Sequence, residues 1–323
     1  MPVEFRSKFE PSPALADRIS ELTPDNPFYT SKYNEVRKRL GSTPCALWLE
    51  DRGVTIEGCS AFLSKGRLNS RMEITSLPDL KHPDAFWGGV FELCRDQGFS
   101  SLSVHSFGST RSQIPGSEMR TELRKRCEYR LDLSQGDLLK RANRQHRRKV
   151  RSATAAGLTI RVGGDETIRR THVVLANVSL DRRRGRGFSI ESNIGLAETD
   201  AFIATGAGTI YQALVGDEVM STLLIALSPT GVYAQSSGTS DAGRELGASH
   251  FLFHRTACRL REEGYNIFNL GGADETSTGL REFKLGTGAF HLDLESAEFY
   301  LGSGLKRLAT RAAAFFRTGG SVS

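Results

Sequence analysis

The sequence lacks an apolar segment long enough to cross a membrane. Its longest apolar runs have the length of a strand, as in STLLIAL at 221–227, whereas a membrane-spanning helix needs about 20 residues. The first residues, MPVEFRSKFE, carry charges where a secretory signal peptide has its apolar core. We therefore expect a cytoplasmic protein without a transmembrane segment.

The chain also lacks the cysteine and histidine spacing of a disulfide framework or a structural zinc site. Its five cysteines are scattered and include no CxxC pair, and its seven histidines form no cluster with ligand spacing. The sequence thus predicts no metal site. We also expect no bound cofactor apart from the donor substrate discussed below.

The size and charge of the chain admit several classes of function. A chain of 323 residues suffices for two domains of ordinary size or one large domain. The net charge of +6 and the pI near 9.1 suggest a polyanionic partner or a phosphate-bearing substrate. Charge alone does not separate these from a basic protein that binds no nucleic acid.

Two blocks in the first half of the chain match blocks in the second half at nearly one offset. Residues 47–64 align with 211–228 at an offset of 164, and both blocks predict a strand, a tight turn and a strand. Residues 95–104 align with 261–270 at an offset of 166, and both predict a helix end, a glycine stop and a buried strand. The matches predict an α/β fold with mixed sheets, built from two tandem units by internal duplication.

The elements of the second unit are predicted in more detail. Strands are expected at roughly 209–216, 219–228, 231–237 and 266–270, with a helix over about 246–263. Ligands of such sheets bind beyond the carboxyl end of a central strand. The segment 236–249 is therefore the predicted ligand-binding location.

Residues 136–157, between the two units, predict one amphipathic helix. Its apolar stripe consists of Leu139, Ala142, His146, Val150 and Ala153. Its basic stripe consists of Lys140, Arg144, Arg147, Arg148 and Arg151. No acid lies between Lys140 and Arg151, so no intrahelical ion pair relieves the repulsion. The basic stripe is either a solvated face or a surface that binds phosphate.

The end of the second unit resembles the FemABX family of peptidoglycan-bridge aminoacyltransferases and the related tandem GNAT-like proteins. The likeness rests on NLGG at 269–272, on Asp274, and on GL-x-x-FK-x-G-x-G at 279–288. The segment RRKVRSATAAGLTIRV is similar to the family's entry into its second domain. NPFYTSKYNEVRKRLG, at 26–41, is similar to its N-terminal helix entry.

The resemblance implies two GNAT-like acyltransferase domains. The first is expected at 1–135, completed by 292–323, and the second, with the catalytic block, at 158–291, with the basic connecting helix at 136–157 between them. The sequence departs from the family at Thr287, where an aromatic residue is usual, and it has no long coiled-coil arm. RELGAS, at 244–249, resembles the R-x-x-G-x-A phosphate loop of CoA-dependent acetyltransferases and keeps CoA open as a donor.

The activity that the resemblance implies is transfer of an aminoacyl group from aminoacyl-tRNA to an amine. The acceptor would be a small peptide, a peptidoglycan precursor or another nucleotide-linked compound, and the product an amide. Two alternatives stay open. One is an acyl-CoA-dependent N-acyltransferase acting on a small amine, and the other is a nucleic-acid-binding protein that has lost the chemistry.

Lys284 is the main catalytic candidate. The resemblance implies that its charge stabilises the oxyanion of a tetrahedral intermediate, a contribution on the order of 3 kcal/mol. Phe283 can bury the stem of the lysine, and Gly286 and Gly288 let the backbone approach a ligand closely. The alternative is a turn beside an ordinary surface lysine. Gly271 and Gly272 are further candidates for contact with substrate.

Two other residues are weaker catalytic candidates. His105 falls at the strand end that the repeat maps onto Gly271, where a histidine is either a general base or structural. Asp274 either orients Lys284, or receives the proton of the amine, or caps a turn.

The remaining candidates bind substrate or phosphate. The resemblance implies that Lys32, Tyr33 and Arg37 contact a phosphorylated acceptor. Arg183 belongs to RRRGRG, at 182–187, a predicted mobile basic loop that either contacts phosphate or is solvated. Arg244, Gly247 and Ser249 would bind phosphate in the CoA-like loop.

Overall fold

A computed structural model describes residues 3–66, 70–188, 192–274 and 276–302. The apolar stripe of LKRLATRAAAFF, at 305–316, which we expect to return to the first unit, lies outside these residues. In the part of the chain that is described, no helix combines the length and apolar character needed to cross a membrane.

The described strands form one mixed sheet. In chain order they are β1 (Glu4–Phe9), β2 (Thr43–Asp51), β3 (Val54–Lys65), β4 (Ser70–Ile74), β5 (Ser101–Val104), β6 (Arg120–Asp132), β7 (Thr159–Gly163), β8 (Gly208–Val215), β9 (Glu218–Leu227), β10 (Gly231–Thr239), β11 (Ile267–Gly272) and β12 (Phe290–Tyr300). Their order across the sheet is β1-β2-β3-β4-β5-β12-β6-β11-β10-β9-β8-β7.

The helices pack on this sheet. They are α1 (Pro13–Glu21), α2 (Ser31–Arg39), α3 (Pro83–Asp96), α4 (Leu138–Arg141), α5 (Arg144–Ala155), α6 (Glu166–Arg184), α7 (Leu196–Ala204), α8 (Asp241–Leu246), α9 (Ala248–Glu262) and α10 (Thr278–Gly286), with a 3₁₀ turn at Pro27–Tyr29. The predicted helix over 246–263 is thus α9. Gly247 separates it from α8 by adopting a left-handed conformation with φ +76°.

Two equivalent units make up the sheet, and each is completed by a strand from elsewhere in the chain. The first unit holds the parallel pair β4–β5, and β5 pairs antiparallel with β12. The second holds the parallel pair β10–β11, and β11 pairs antiparallel with β6. Strands β6 and β12 then pair with each other and join the units. The prediction of a mixed α/β fold with two tandem units is confirmed, while the domain boundaries stay a prediction.

The two hairpins that carry the repeat share an irregularity. The register of β2 on β3 shifts between Leu49 and Glu50, and the register of β8 on β9 shifts between Ala213 and Leu214. These positions are related by the same offset of 164 that aligns the sequences. Because a β-bulge fixes local twist and register, its equivalent placement supports the alignment residue by residue.

The connecting segment forms two helices where one was expected. After α4 the chain turns at Ala142, and Asn143 caps α5 by accepting a hydrogen bond of 2.8 Å from the His146 N–H. The Asn143 N–H donates to the Gly286 carbonyl, at 2.9 Å, so a tertiary contact fixes the break. Most of the predicted apolar stripe is buried, including Ala142, His146 and Val150.

A core cluster at the junction places the N-terminal helices against the second unit. It includes Phe28, Tyr33 and Val36 from the first unit together with Phe202 and Tyr233 from the second. The ring of Phe28 packs edge to face on Tyr33 and Tyr233, with centroid distances of 5.1 and 5.0 Å. This contact brings α2 to the carboxyl ends of β10 and β11.

Candidate active site

A cavity of about 530 Å³, here called the central cavity, opens where β10 and β11 stop pairing. The parallel pairing of the two strands ends at Tyr233 and Asn269. Beyond that point residues 234–237 and 270–272 line the cavity. The cavity therefore lies at the carboxyl ends of adjacent parallel strands, and it includes part of the predicted segment 236–249.

Lys284 lines the central cavity from the last turn of α10. Its side chain is buried, with 6% of the residue exposed, and its Nζ donates a hydrogen bond of 2.5 Å to the Gly272 carbonyl. Burial lowers the pKa of Lys284 to about 8, an effect that the charge of Glu128 opposes and that of Arg183 reinforces. The lysine is thus a buried ammonium at a cavity wall and not a surface residue of a turn.

Glu128 is a fully buried carboxylate of β6 that accepts four hydrogen bonds. The donors are Arg126 Nη2 at 2.6 Å, Asn269 Nδ2 at 2.7 Å, and Tyr233 Oη and the Gly108 N–H at 3.0 Å. These partners fix β6 to β10 and β11 beneath Lys284. Sequence reasoning missed Glu128, because no local motif marks a residue most of whose partners are distant in the chain.

Phe283 and the two glycines after Lys284 pack against other parts of the chain. The Phe283 ring meets His250 and Phe253 of α9, with centroid distances of 5.0 and 5.3 Å. The Gly286 carbonyl bonds Asn143, and a Cβ at Gly288 would lie 3.1 Å from the Arg141 carbonyl oxygen. The close approach that these glycines permit is therefore to the α4–α5 turn, and no ligand is required to explain it.

Asp274 pairs with Arg183, with an Nη2–Oδ2 distance of 2.9 Å. Arg183 lies in the last turn of α6, so the first residues of RRRGRG are helical and do not form the predicted loop. Arg183 also lines the central cavity and both spaces described next. The ion pair consequently sits where three spaces meet.

The first of these neighbouring spaces, the β6–β12 groove, has a volume of about 1290 Å³. Its walls include Lys125 and Cys127 of β6 and His291 and Asp293 of β12, and Asp274 lies at its edge. It shares Phe107, Arg183 and Gly272 with the central cavity. Charges of both signs line this groove.

The second space, the arginine pocket, has a volume of about 440 Å³ and meets the central cavity at Arg183, Ser249 and Leu280. Its arginines are Arg182, Arg183, Arg186 and Arg244, and its hydroxyl groups are those of Ser179, Thr239, Ser249, Thr276, Ser277 and Thr278. Among the residues that the structure describes, none of those lining the pocket is an acid. The structure thus brings together the predicted phosphate-binding residues Arg183, Arg244 and Ser249.

Other predicted phosphate-binding residues lie elsewhere. Gly247 packs against Lys149 of α5. The exposed side chains of the basic stripe belong to Lys140, Arg144, Arg148 and Arg151, whereas Arg147 is half-buried and donates to the carbonyls of Lys140 and Ala142. None of the five lines the central cavity, the groove or the arginine pocket.

The predicted acceptor contacts from α2 divide into two groups. Tyr33 and Arg37 line the central cavity, but both Arg37 Nη atoms already bond the Glu73 carboxylate, at 2.9 and 3.0 Å. Lys32 is exposed and does not line the cavity. Of these three residues, Tyr33 is therefore the one that lines the cavity and can contact a ligand there without breaking an ion pair.

His105 follows β5 as predicted, but it lines none of the three spaces. Its ring packs on Phe107 at a centroid distance of 5.4 Å. Burial lowers the pKa of His105, and the charge of Glu73 opposes this effect. His105 therefore does not line the central cavity that Lys284 lines.

Unlike His105, His172 is connected to the central cavity, through the hydroxyl group of Ser236. His172 of α6 is fully buried, with Nδ1 3.0 Å from Thr222 Oγ1 and Nε2 2.8 Å from Ser236 Oγ, and Ser236 lines the cavity. Burial lowers the pKa of His172 to about 4, so the imidazole is neutral at neutral pH. Sequence reasoning missed this pair because its residues lie 64 positions apart.

The sequence and the fold are similar to those of known acyltransferases. Residues 140–285 match the family described as acetyltransferase (GNAT) domain. The fold resembles the crystal structure of FemX, with a TM-score of 0.70 at 12% identity over 94% of this chain and 99% of that one. No match is found among curated proteins.

Two further solved structures share the fold over the same 94% of this chain. The C-terminal domain of a putative lysylphosphatidylglycerol synthetase from Agrobacterium fabrum has a TM-score of 0.54 at 16% identity and is covered over 97% of its length. A tandem GNAT protein from the clavulanic acid biosynthesis pathway has a TM-score of 0.54 at 11% identity and is covered completely, at 100%. At these identities the likeness shows the fold, and the predicted resemblance to the FemABX and tandem GNAT-like proteins is confirmed at that level.

Proposed function

We propose that this chain, with the fold of FemX and a second half that matches an acetyltransferase domain, is an aminoacyl-tRNA-dependent aminoacyltransferase. It would form an amide bond on an amine of a peptide or of an acceptor like a peptidoglycan precursor. The observation that carries the proposal is the position of Lys284. A buried ammonium lies at the wall of a cavity that meets a basic pocket on one side and an open groove on the other.

The reaction consists of attack by a neutral amine on the ester carbonyl carbon of the donor. A C–N bond forms, the carbonyl π electrons move onto oxygen, and an oxyanion develops. The intermediate then collapses, the C–O bond to the ribose breaks, and the proton lost by the amine ends on the leaving hydroxyl. The Lys284 ammonium stabilises the oxyanion, and because the ammonium is buried this interaction is stronger than it would be in water.

The two neighbouring spaces suit the two substrates. The arginine pocket, whose described lining residues carry four arginines and no acid, fits the phosphates of the donor. The β6–β12 groove, which has both charges and is open, fits a peptide-like acceptor. The acceptor amine would then enter beside Gly272 and Asp274, and the acyl group would enter between β10 and β11.

Transfer from acyl-CoA to a small amine is the second candidate function. It is favoured by the segment 244–249, of which Arg244 and Ser249 line the arginine pocket. The tandem GNAT protein from the clavulanic acid biosynthesis pathway, a fold relative described in a form without AcCoA, agrees with the same interpretation.

One experiment separates the candidates. The purified protein would be offered a pool of aminoacyl-tRNAs or a panel of acyl-CoA donors, each with peptide and small amine acceptors, and products would be detected by mass spectrometry. Lys284→Met serves as the control for enzymatic transfer. We expect amide products from the tRNA donors. Products from acyl-CoA alone would favour the second candidate, and RNA binding without any product would favour a nucleic-acid-binding protein.

A further inference from the structure

Ser277 is a buried hydroxyl group without a hydrogen-bond partner. The residue is 6% exposed, and within the described ranges its Oγ finds neither donor nor acceptor. It occupies the N-cap position of α10, where a serine usually accepts a hydrogen bond from the first turn, but its side chain makes no capping bond. Buried polar groups in folded proteins nearly always have a partner, and this hydroxyl has its hydrogen-bonding capacity free for a group from outside the chain.

The arginine pocket is the space that this hydroxyl adjoins. Ser277, Thr278 and Gly279 line it together, so the N-terminus of α10 forms part of its wall. This helix has nine residues, and the partial positive charge of a helix N-terminus attracts anions. The N–H groups of Ser277, Thr278 and Leu280 already donate to carbonyls of the chain, so the attraction here is that of the helix dipole. The pocket thus contains a second possible anion contact besides the segment 244–249.

The arginines of the pocket differ in how their charge is already used. Arg182 and Arg244 share Asp241, at 3.0 and 3.7 Å, and Arg183 pairs with Asp274. Arg186 is exposed and has no ion-pair partner in the part of the chain that the structure describes. A guanidinium matches the oxygens of a phosphate group, and this one would satisfy a bound phosphate without breaking an existing pair.

We propose that the N-terminus of α10, Ser277 Oγ and Arg186 form a phosphate-binding site. The ligand is a phosphate group of the donor, either a phosphodiester near the 3′ end of a tRNA or a phosphate of CoA. The choice of the donor as its source rests on the proposed function. Because the pocket meets the central cavity at Arg183, Ser249 and Leu280, a donor held here would place its acyl end toward Lys284.

The test compares Ser277→Ala and Arg186→Gln with the matched control Arg95→Gln. Arg95 is an exposed arginine of α3 that does not line the pocket. Binding of inorganic pyrophosphate, of a deacylated minihelix ending in CCA and of CoA would be measured at equilibrium with the full-length protein. We expect each variant to weaken binding of pyrophosphate and of the true donor by about ten- to a hundredfold, as loss of one hydrogen bond to a charged group does. The control should bind like the wild type.

Thermal melting provides a second measurement. Since Ser277 Oγ has no partner among the described residues, Ser277→Ala should leave the melting temperature unchanged without ligand and should reduce the increase that pyrophosphate causes. A lower melting temperature without ligand, together with unchanged pyrophosphate binding, would assign Ser277 a structural role and overturn the proposal.

The outcomes separate this site from the proposed function. If both variants bind all three probes as tightly as the wild type, or the wild type binds none of them, the phosphate site is wrong even where transfer activity is found. If the wild type transfers no acyl group but its pyrophosphate binding falls in both variants, the site stands and the proposed function fails. Weaker binding of the minihelix alone identifies tRNA as the source, and weaker binding of CoA alone identifies CoA.

Discussion

Lys284 Nζ lies 2.5 Å from the carbonyl oxygen of Gly272 and donates a hydrogen bond to it. This hydrogen bond ties the last turn of α10 to the end of β11, and so directs the ammonium toward the point where the pairing of β10 and β11 has ceased. An ammonium has three N–H donors. With one N–H directed at Gly272 and no other hydrogen bond of Nζ among the described residues, the proposed function assigns the remaining N–H groups to the reacting carbonyl.

Replacement of Lys284 should affect turnover far more than binding. If its charge stabilises the oxyanion, Lys284→Met should lower kcat by about two to three orders of magnitude, because the interaction strengthens only as charge develops. The dissociation constants of donor and acceptor should change little. Lys284→Arg should restore little activity, since a planar guanidinium does not fit the place of a compact ammonium. Wild-type turnover in Lys284→Met would remove Lys284 from the mechanism.

The lowered pKa of Lys284 predicts the pH dependence of this effect. Above about pH 8 the buried lysine loses its proton, and its ability to stabilise an oxyanion is lost with it. The ratio of wild-type to Lys284→Met turnover should therefore fall as the pH rises through about 8. Using the ratio cancels the ionisation of the attacking amine, which both proteins share. A ratio that increases over this range would indicate instead that the neutral lysine acts as a base.

The same pKa predicts a difference in stability. Between about pH 8 and the ordinary lysine value of 10.5, the unfolded chain holds more protons than the folded one, so the free energy of unfolding of the wild type rises with pH. Below this window the buried charge costs the folded state about 3 kcal/mol relative to pH values above it. The advantage of Lys284→Met over the wild type should thus shrink between about pH 7 and about pH 10. Denaturant titrations at both pH values would measure it, and an advantage independent of pH would contradict the lowered pKa.

Glu128→Gln should weaken both the fold and the charge of Lys284. The substitution removes the buried acid that pairs with Arg126 at 2.6 Å, and breaking a buried ion pair costs about 3–5 kcal/mol. The charge of Glu128 also raises the pKa of Lys284 against the effect of burial, so its loss should lower this pKa further. We expect a lower midpoint of urea unfolding and a pH–rate profile shifted to lower pH. Glu122→Gln, in the exposed pair with Arg124 on the same strand, is the control and should change neither.

The basic stripe on α4 and α5 predicts the salt dependence of tRNA binding. If tRNA lies on it, replacing Arg144 and Arg148 with Ala should flatten the plot of log Kd against log salt by about one unit for each phosphate that no longer pairs with an arginine. Arg147→Ala should instead lower stability, because this side chain bonds carbonyls at the end of α4. Arg39→Ala, an exposed arginine at the end of α2, is the matched control. An unchanged slope would leave the stripe as a solvated surface.

The strands of the second unit were predictable from the sequence. The predicted strands at 209–216, 219–228 and 231–237 correspond to β8, β9 and β10, with bounds that differ by two residues or fewer. Apolar runs and tight turns are local features, so they predict these strands without reference to distant residues. The repeat likewise predicted two units, because each copy carries the same local signals.

The placement of Lys284 in a special environment was also predictable, but its cause was not. The resemblance selected the lysine from FK-x-G-x-G, whereas the glycines around it serve the packing of α10 on Asn143 and Arg141. Helical periodicity predicted one helix over 136–157, and the same tertiary packing divides it at Asn143. Local patterns identify which side chains are unusual, and they do not identify the partners that make them so.

The sequence by itself determined most of the elements, since spacing within one segment sets each of them. It indicated the duplication through blocks matched at nearly one offset, and the candidate lysine through the resemblance to a known family. Only the tertiary structure decided the pairing of β6 with β11 of the second unit, the burial of Glu128 beneath Lys284, and the gathering of Arg183, Arg186 and Ser277 around one pocket. These features depend on pairing between strands and helices that are distant in the chain. The physical reason is that burial and the electrostatic field at a site are set by the whole packed molecule, whereas strand and helix periods are set by neighbouring residues.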